Sequence, residues 1–416
     1  MKTIDGYDVK IFTDNIEQAA IDQIKMLLSI DVFSDRKIRI MPDVHAGAGC
    51  VIGFTGDLGD KVIPNIVGVD IGCGMRVLEL GRIGDFDFHD FHRFIRDNIP
   101  SGKNIREDRS FKPLAGEETD LYRQAGDLLQ GLCCYRDLKD PARLQDAIGT
   151  LGGGNHFIEL DKDDADGTYL VIHTGSRNLG FQVANIYQAQ AVRHLTEGAD
   201  DFEARVGEVI ARYKASGRET ELQGVMERMR TEQKNARTLL PAELCYVEGE
   251  ARERYLHDMR ICQRWAALNR RLISMILLRF FPEVRVKSEF ESVHNYISDD
   301  NLIRKGAISA ADGERCVIPL NMRDGSLLCT GKGNADWNCS APHGAGRILS
   351  RSQACEAITM EDFKASMKGI YSECVVETTR DESPMAYKPA SEIIANIGDT
   401  VSIDTVIRPV FNFKAT

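Results

Sequence analysis

Side chains with metal-binding atoms recur along the chain in short motifs, most of them rich in glycine. They are Asp70 and Cys73 in Val-Asp-Ile-Gly-Cys-Gly, His156 in Gly-Gly-Asn-His-Phe, His173 in Ile-His-Thr-Gly-Ser-Arg and His294 in His-Asn-Tyr. One carboxylate, one thiolate and three imidazoles are too many ligands for one catalytic zinc ion with an open position. They suit two divalent ions that share the thiolate. The set therefore predicts a metal site.

A second kind of chemistry is indicated by His343, which lies in the glycine-rich turn Pro-His-Gly-Ala-Gly-Arg with Arg347 close behind it. We interpret His343 as a nucleophile and not as a ligand. A single histidine is more often a hydrogen-bonded structural residue, and a single buried cysteine is usually a small hydrophobic one. Beside two cations, however, the Cys73 thiol would be deprotonated and able to bridge them. The prediction therefore depends on the whole set.

The elements that must position these residues are strand-like. The segments Val62–Val69 and Met75–Leu80 predict strands that lead into and out of the loop with the first two ligands. His156–Leu160 and Tyr169–His173 predict a hairpin. If Leu160 pairs with Tyr169, His156 lies directly opposite His173, with Cβ atoms about 4.5 to 5.5 Å apart. A slip of one residue would remove that pairing.

From residue 181 to residue 281 the pattern becomes helical and highly charged. The apolar spacing predicts helices at Asp201–Lys214, Arg218–Arg237 and Glu248–Arg279. We predict a helical insertion over residues 181–282, most simply a solvated packing element.

The whole chain, residues 1–416, is predicted to form one catalytic domain. The residues that must converge run from Asp70 to His343, and a domain boundary between them would place the site at an interface. Strand patterns on both sides of the insertion predict an α+β fold, with central mixed or antiparallel sheets flanked by helices.

Composition limits the classes of protein and partner. With 416 residues, 43% hydrophobic and 28% charged, the chain is able to bury a sizeable core. We find neither a membrane-spanning segment nor a secretory signal, and the eleven cysteines lack a Cys-x-x-Cys pair, which together favour the cytoplasm. The net charge of −11 argues against broad attraction to polyanions. A nucleic-acid substrate would need a local positive patch, to which bound cations would contribute.

Eight motifs occur in order over nearly the whole chain. They are Met41-Pro-Asp-Val-His45, Val69-Asp-Ile-Gly-Cys-Gly-Met75, Leu151-Gly-Gly-Gly-Asn-His-Phe-Ile-Glu159, His173-Thr-Gly-Ser-Arg-Asn-Leu-Gly180, His294-Asn-Tyr296, Arg304-Lys-Gly-Ala307, His343-Gly-Ala-Gly-Arg347 and Met385-Ala-Tyr-Lys388. In this combination the sequence resembles the RtcB family of RNA ligases, and the fold it implies is RtcB-like.

The resemblance implies a GTP-dependent ligase with two Mn²⁺ ions, acting in RNA repair or tRNA splicing. It would join an RNA 3'-phosphate, or a 2',3'-cyclic phosphate after opening it, to a 5'-hydroxyl. By motif matching, one ion is held by Asp70, Cys73 and His156, and the other by Cys73, His173 and His294. His343 would attack the α-phosphate of GTP to form a histidine-GMP intermediate, and Asp43 would orient the His343 imidazole.

The resemblance also implies nucleotide contacts. These are Asn155, His156, Phe157, Ile158, Glu159, His294, Asn295, Pro319, Leu320, Asn321, Met322, Ser326, His343, Gly344, Ala345, Gly346 and Lys414. Arg177 and Arg347 are either phosphate clamps, because a guanidinium binds two oxygens at once, or structural ion-pair residues.

One segment departs from the family pattern. Where the family usually has Pro-Gly-Ser-Met-Gly, this chain has Pro319-Leu-Asn-Met-Arg-Asp-Gly325. Asn321 offers both a donor and an acceptor to a base edge, so GTP and other nucleotides both stay open. RNA is the expected partner, with an archease-type activator as a further one and no membrane. Two alternatives to the ligase are a metal-dependent phosphodiesterase or cyclic phosphate hydrolase without nucleotidyl transfer, and a non-catalytic RNA-binding paralogue.

Overall fold

The structure is a computed structural model of the chain. It describes residues 1–106, 111, 113–197, 199–216, 218, 222–236 and 240–416, with the backbone alone at 196–197, 199–205 and 230–236. Helices and several sheets are combined in the described residues, and the predicted α+β fold is confirmed.

The strands are numbered in chain order. They are β1 (Lys2–Thr3), β2 (Val9–Ile11), β3 (Ile38–His45), β4 (Ile52–Asp57), β5 (Lys61–Val62), β6 (Gly74–Gly81), β7 (Phe157–Lys162), β8 (Thr168–Thr174), β9 (Val247–Glu248), β10 (Ser288–Val293), β11 (Asn295–Ile297), β12 (Leu302–Lys305), β13 (Ala307–Ser309), β14 (Arg315–Asn321), β15 (Gly325–Gly331), β16 (Ser340–Pro342) and β17 (Val401–Phe413).

The α-helices are numbered in the same way. They are α1 (Gln18–Leu28), α2 (Pro64–Val67), α3 (Phe88–Asn98), α4 (Glu117–Gln130), α5 (Pro141–Asp146), α6 (Arg177–Val192), α7 (Ala199–Ala215), α8 (Leu222–Ala236), α9 (Gly249–Leu278), α10 (Arg351–Ala357), α11 (Met360–Ser366) and α12 (Ala390–Asn396).

Two large sheets carry the strands that end at the predicted ligands. One has six strands in the order β1-β2-β3-β4-β12-β11, in which β2 and β3 are parallel. The other has seven antiparallel strands in the order β10-β6-β8-β7-β17-β15-β14. Strand β17 is 13 residues long and pairs with both β7 and β15. It therefore joins the strands around His156 and His173 to the hairpin of β14 and β15.

The β7/β8 hairpin forms, but the predicted register is wrong by one residue. Leu160 pairs with Leu170, and Phe157, not His156, lies opposite His173. The turn decides this, because Asp166 adopts a left-handed conformation with φ of 63°. A hairpin turn that is followed by a left-handed residue has a loop one residue longer, which here shifts the pairing of β7 with β8 by one position. The rings of His156 and His173 still approach to 5.3 Å between centroids, since His156 lies just before the strand.

The predicted strand over Val62–Val69 is also wrong for most of its length. Only its first residue is part of a strand, and Pro64–Val67 forms the short helix α2. Proline is favoured at the first helical position, because its missing N–H would have no intrahelical partner there and its φ suits the helix. The following segment of predicted strand, over Met75–Leu80, lies within β6 as expected.

The charged middle of the chain is mostly helical where it is described, with the short strand β9 before its longest helix. The three helices predicted there correspond to α7, α8 and α9, with shifted ends at α7 and α9. Residues 219–221 and Arg237 of the second predicted helix lie outside the described residues. Helix α9 is not a solvated element, because Trp265, Ile273 and other side chains along it are fully buried in the main hydrophobic core. The limits of the insertion and the single catalytic domain stay predictions. No helix in the described ranges is long and apolar enough to cross a bilayer.

Candidate metal and nucleotide site

The first two predicted ligands lie in the turn between α2 and β6. Gly72 has a φ of 72°, and a Cβ on it would come within 2.8 Å of the Gln263 Cα of helix α9. The turn is therefore tight, packs against that helix, and requires glycine at this position. It places Cys73 in a buried position, 2% exposed, immediately before β6.

Three histidines from separate elements meet this turn. The Nε2 atoms of His156 and His173 each lie 3.4 Å from the Cys73 Sγ, and the His156 Nε2 is 3.0 Å from an oxygen of Asp70. The backbone N–H of His294 donates to the Cys73 carbonyl at 2.9 Å. The side chains thus form two overlapping groups, Asp70–Cys73–His156 and Cys73–His173–His294, whose ligand atoms lie within 4.8 Å of one another in each group. Cys73 belongs to both.

Backbone carbonyls orient two of the imidazoles. The Nδ1 atoms of His156 and His173 lie 2.9 Å and 3.1 Å from the carbonyl oxygens of Leu151 and Asn155. A carbonyl only accepts, so each Nδ1 carries the hydrogen and each Nε2 is left with a lone pair. The lone pairs are therefore on the nitrogens next to the Cys73 sulfur, an arrangement typical of metal-binding histidines.

The charges of the site fit divalent cations. Burial, and then the negative charge of Asp70, raises the pKa of the Cys73 thiol. Burial and the neighbouring imidazoles lower the pKa of His173 and His294 well below the ordinary value. His173 and His294 are therefore neutral, and the Asp70 Oδ1 has no hydrogen-bond partner among the described residues. A carboxylate oxygen, imidazoles and a thiol that a bound cation would deprotonate together form a mixed set that binds divalent transition metals.

His343 follows β16 and faces this group. Its Nδ1 lies 2.6 Å from an oxygen of Asp43, which is fully buried and also accepts the His343 backbone N–H at 3.1 Å. The carboxylate fixes the hydrogen on Nδ1, so that Nε2 has a free lone pair. The rings of His343 and His294 are 4.9 Å apart between centroids. A candidate nucleophile thus lies directly beside the candidate metal ligands.

The turn after His343 also depends on glycine. Gly346 has a φ of 75°, and a Cβ on it would lie 2.2 Å from the carbonyl oxygen of Asp43. Any larger residue would push apart the two segments that carry Asp43 and His343. The glycine-rich sequence around the nucleophile is therefore required by the approach of two backbones.

Most of the predicted site residues line one cavity of about 570 Å³. Those at its surface are Asp70, Cys73, Asn155, Phe157, Glu159, His173, His294, Asn295, Pro319, Leu320, Asn321, Met322, His343, Gly344, Ala345, Gly346, Arg347 and Lys414.

Five predicted residues are not at the cavity surface. Asp43 lies behind His343, and His156 lies beneath the turn with Asp70. Ile158 is fully buried in the main core, because alternate residues of β7 face opposite sides of the sheet. Ser326 is also fully buried, and Arg177 lies beside the Nδ1 of His156 at 3.4 Å.

Arg347 makes a structural ion pair, which is one of the two roles that the sequence left open for it. Its guanidinium pairs with Glu382 at 3.3 Å and lies 5.1 Å over the ring of Tyr387. Arg177 has no carboxylate within ion-pair distance in the described part of the chain, although the charge of Asp70 acts on it. Arg347 lines the cavity but is held in an ion pair, and Arg177 lies off the cavity surface, so the phosphate-clamp prediction stays open for both.

Sequence reasoning missed several residues of the cavity wall. They are Glu17, His45, Arg351, Glu382 and Tyr387. Only His45 and Tyr387 fall within the motifs singled out in the sequence. The His45 Nδ1 donates to the carbonyl of Asp43 at 2.9 Å, next to the nucleophile.

Glu382 is the centre of a buried charge network beside the cavity. It accepts from the Tyr387 hydroxyl at 2.8 Å and pairs with Lys414 and Arg351, both at 3.2 Å. Burial alone would raise its pKa, but Lys414 and the two arginines outweigh burial and lower the pKa to about 2. Glu382 is therefore ionised and holds the side chain of Lys414, a predicted nucleotide contact.

Glu382→Gln is expected to destabilise the protein by about 3–5 kcal/mol, because buried cations lose their counter-charge. The carboxyl pKa is lower in the folded state than its ordinary value of 4.5, so its stabilisation is present above pH 4.5 and is lost as the pH falls towards 2. Urea unfolding at several pH values measures both effects. Glu377→Gln, on an exposed residue of the same turn, is the control. Equal stability of the two variants would contradict the assigned role.

The segment that departs from the family pattern forms the turn between β14 and β15. The side-chain oxygen of Asn321 accepts from the N–H groups of Arg323 and Asp324, at 3.0 Å and 2.9 Å. Its amide donates to the Asp324 carboxylate at 2.8 Å, and Arg323 also pairs with Asp324. The Asn321 amide is therefore used within the turn, which weakens the idea that it reads a base.

Comparison with known proteins gives consistent matches. The family model described as tRNA-splicing ligase RtcB matches residues 23–415. The RNA-splicing ligase RtcB of Escherichia coli (strain K12) is 27% identical over 442 aligned positions, which cover 99% of this chain and 98% of that protein. The tRNA-splicing ligase RtcB of Nanoarchaeum equitans is 26% identical, over 85% of this chain and 83% of that protein. The RNA-splicing ligase RtcB2 of Escherichia coli (strain ATCC 25922) is 24% identical, over 96% and 93%.

The matched span includes every predicted metal ligand together with Asp43 and His343. The site and the match therefore cover the same part of the chain. The resemblance found in the sequence is confirmed: the chain belongs to the RtcB family of RNA ligases.

Proposed function

We propose that this protein is an RNA ligase that uses GTP and two Mn²⁺ ions to join an RNA 3'-phosphate, or a 2',3'-cyclic phosphate after opening it, to a 5'-hydroxyl. Its place would be in tRNA splicing or RNA repair. The observation that carries the proposal is that His343, held by buried Asp43, shares one cavity with the metal-ligand cluster. The names of the relatives, RNA-splicing and tRNA-splicing ligase, support RNA as the substrate.

In the first step the Nε2 lone pair of His343 attacks the α-phosphorus of GTP. A nitrogen–phosphorus bond forms, the bond to the bridging oxygen breaks, and pyrophosphate leaves. The imidazole gains positive charge, which the Asp43 carboxylate stabilises through its hydrogen bond with Nδ1. Asp70, Cys73 and His156 would hold one cation and Cys73, His173 and His294 the other. When bound, Mn²⁺ would supply positive charge to the phosphoryl oxygens.

In the second step the GMP group moves from His343 to the RNA. An oxygen of the 3'-phosphate bonds to the GMP phosphorus as the bond to the imidazole nitrogen breaks. The 5'-hydroxyl then attacks the RNA phosphorus, loses its proton, and expels GMP. A cyclic phosphate first takes up water, which breaks the bond to the 2'-oxygen. Activation is needed because attack on the unmodified 3'-phosphate would have to expel one of its oxygens as hydroxide, which is a far poorer leaving group than GMP.

The proposed base site is the wall formed by Phe157, Glu159 and Lys414. Glu159 accepts a hydrogen bond from Asn412 at 2.6 Å, and burial raises the pKa of its carboxyl group to about 7. In its ionised form the carboxylate has further lone pairs for a ligand. The Lys414 ammonium lies 5.7 Å from the centre of the Phe157 ring. Guanine presents two adjacent N–H donors on its pairing edge, whereas adenine presents one donor and one acceptor. A carboxylate acceptor at this wall therefore favours GTP over ATP.

A labelling experiment tests the proposed function. The protein is incubated with Mn²⁺ and either GTP or ATP labelled at the α-phosphate, and then with RNA ends that carry a 3'-phosphate and a 5'-hydroxyl. We expect acid-labile label on the protein from GTP, and its loss as the RNA ends are joined. Opening of a cyclic phosphate without label would favour the hydrolase, and RNA binding without either activity would favour the binding paralogue. Equal labelling from ATP would contradict the base assignment. The archease-type activator and the cytoplasmic location stay predictions.

A further inference from the structure

Helix α9 carries two consecutive polar side chains that are completely buried, Asn269 and Arg270. The helix belongs to the charged segment that the sequence assigns to a solvated insertion, and neither residue falls in a motif of the candidate site. A buried guanidinium is costly unless its N–H groups are paired. The partners of these two side chains therefore indicate their role.

Arg270 joins the backbone on both sides of the metal-ligand cluster. One terminal nitrogen, Nη1, donates to the carbonyl of Gly72 at 2.9 Å and to the carbonyl of Thr174 at 3.0 Å. Gly72 immediately precedes Cys73, and Thr174 immediately follows His173. A single guanidinium thus fixes the distance between the segments that carry two of the ligands.

The charge of Arg270 is paired with a carboxylate outside the cluster, although it also acts at a distance on Cys73 and His294. Its other terminal nitrogen, Nη2, pairs with the Glu291 carboxylate at 2.8 Å. Glu291 also pairs with Arg76 at 3.0 Å. The carboxylate would therefore keep a cationic partner if Arg270 were replaced, so the loss of Arg270 need not unfold the sheet.

Asn269 joins the third ligand segment to the same helix. Its side chain accepts from the N–H of Thr150 and donates to the Thr150 carbonyl, both at 3.1 Å, and it also donates to the Gly175 carbonyl at 3.2 Å. Thr150 immediately precedes Leu151, whose carbonyl oxygen orients His156. The amide therefore ties the segment before His156 to the segment after His173.

We propose that Asn269 and Arg270 are positioning residues that hold the Asp70–Cys73, His156 and His173 segments at the spacing needed to bind two cations. Neither side chain touches a ligand atom; both act through backbone carbonyls and N–H groups. The inference rests on the two-cation site of the proposed function, but not on nucleotide transfer. It gives helix α9 a role in the site that goes beyond packing.

The test measures cation binding directly. Co²⁺ is used as the probe, because sulfur-to-cobalt absorption reports the Cys73 bond, and the number of bound ions per chain is determined by metal analysis. We expect Arg270→Met and Asn269→Leu each to weaken Co²⁺ binding by about 10- to 100-fold, as replacement of groups that orient metal ligands does. Arg270→Lys keeps the charge but not the fork of donors, so we expect only partial recovery.

Arg271→Met is the matched control, since Arg271 is the next residue of the helix and is exposed. Circular dichroism and unfolding curves establish whether each variant is folded. If Arg270→Met does not fold, Asn269→Leu alone tests the inference. Wild-type affinity and absorption in folded Arg270→Met and Asn269→Leu would overturn the inference, as would full recovery in Arg270→Lys. If the wild type binds two Co²⁺ ions but is not labelled by GTP, the proposed function fails while this inference stands. If the wild type binds no cation, the inference fails as well.

Discussion

His343→Ala is expected to abolish transfer of labelled GMP onto the protein while cation binding is retained. The imidazole Nε2 is the only nucleophile that the proposed mechanism provides, whereas the predicted metal ligands are other residues. Acid-labile label after incubation with α-labelled GTP measures the first effect, and bound Mn²⁺ per chain measures the second. Retention of label in the variant would show that another group attacks the nucleotide.

Two further variants make this result specific. Asp43→Asn keeps the size of the side chain but removes the charge that stabilises the imidazolium, so we expect labelling to slow by about 10²- to 10⁴-fold. His89→Ala is the control, because His89 is exposed on helix α3, far from the ligand groups in sequence, and its Nδ1 bonds to the Glu373 carboxylate. A rate in Asp43→Asn equal to that of the control would contradict the role of the carboxylate.

The parts of this site that could be predicted from sequence are those with a local signal. Cys73 and His343 stand beside glycines, and the positive φ of Gly72 and Gly346 shows that these turns need them. A residue of metal-binding or nucleophilic type next to a glycine can be recognised in a short motif, without knowledge of the fold. The sequence therefore predicts the metal ligands as a set, and the structure brings that set together.

What could not be predicted depends on contacts between distant segments. Arg270 and Arg271 are equivalent neighbours in a charged helical sequence, yet the first is fully buried and the second is exposed. Glu382 and Lys414 pair across 32 positions of the chain without a shared motif. Even the hairpin register depended on one backbone conformation, at Asp166, which the residue pattern does not specify. Periodicity predicts which face of an element is apolar, but not which backbone groups a buried polar side chain will reach.

Cys73→Ser is expected to remove both cations together, because Cys73 belongs to both ligand groups. The sulfur is 3.4 Å from the Nε2 atoms of both His156 and His173, and it is the one side chain common to the two ligand groups. A serine hydroxyl stays protonated and is a much weaker ligand than a thiolate. Loss of a ligand should therefore exceed the roughly 10- to 100-fold loss caused by changing an orienting group. Equilibrium dialysis with Mn²⁺, followed by metal analysis, gives the number of ions per chain.

The number of Mn²⁺ ions bound by other variants shows whether the Cys73 sulfur is shared by both cations. His294→Ala alters one ligand group only, so it should leave one ion bound by Asp70, Cys73 and His156, whereas Cys73→Ser should leave none. Cys355→Ser, at a half-buried cysteine outside the candidate ligand groups of the described residues, should bind as the wild type does. If Cys73→Ser kept one ion and lost the other, the sulfur would belong to a single cation. The two ligand groups would then be separate sites, and the cation pair would not depend on a common ligand.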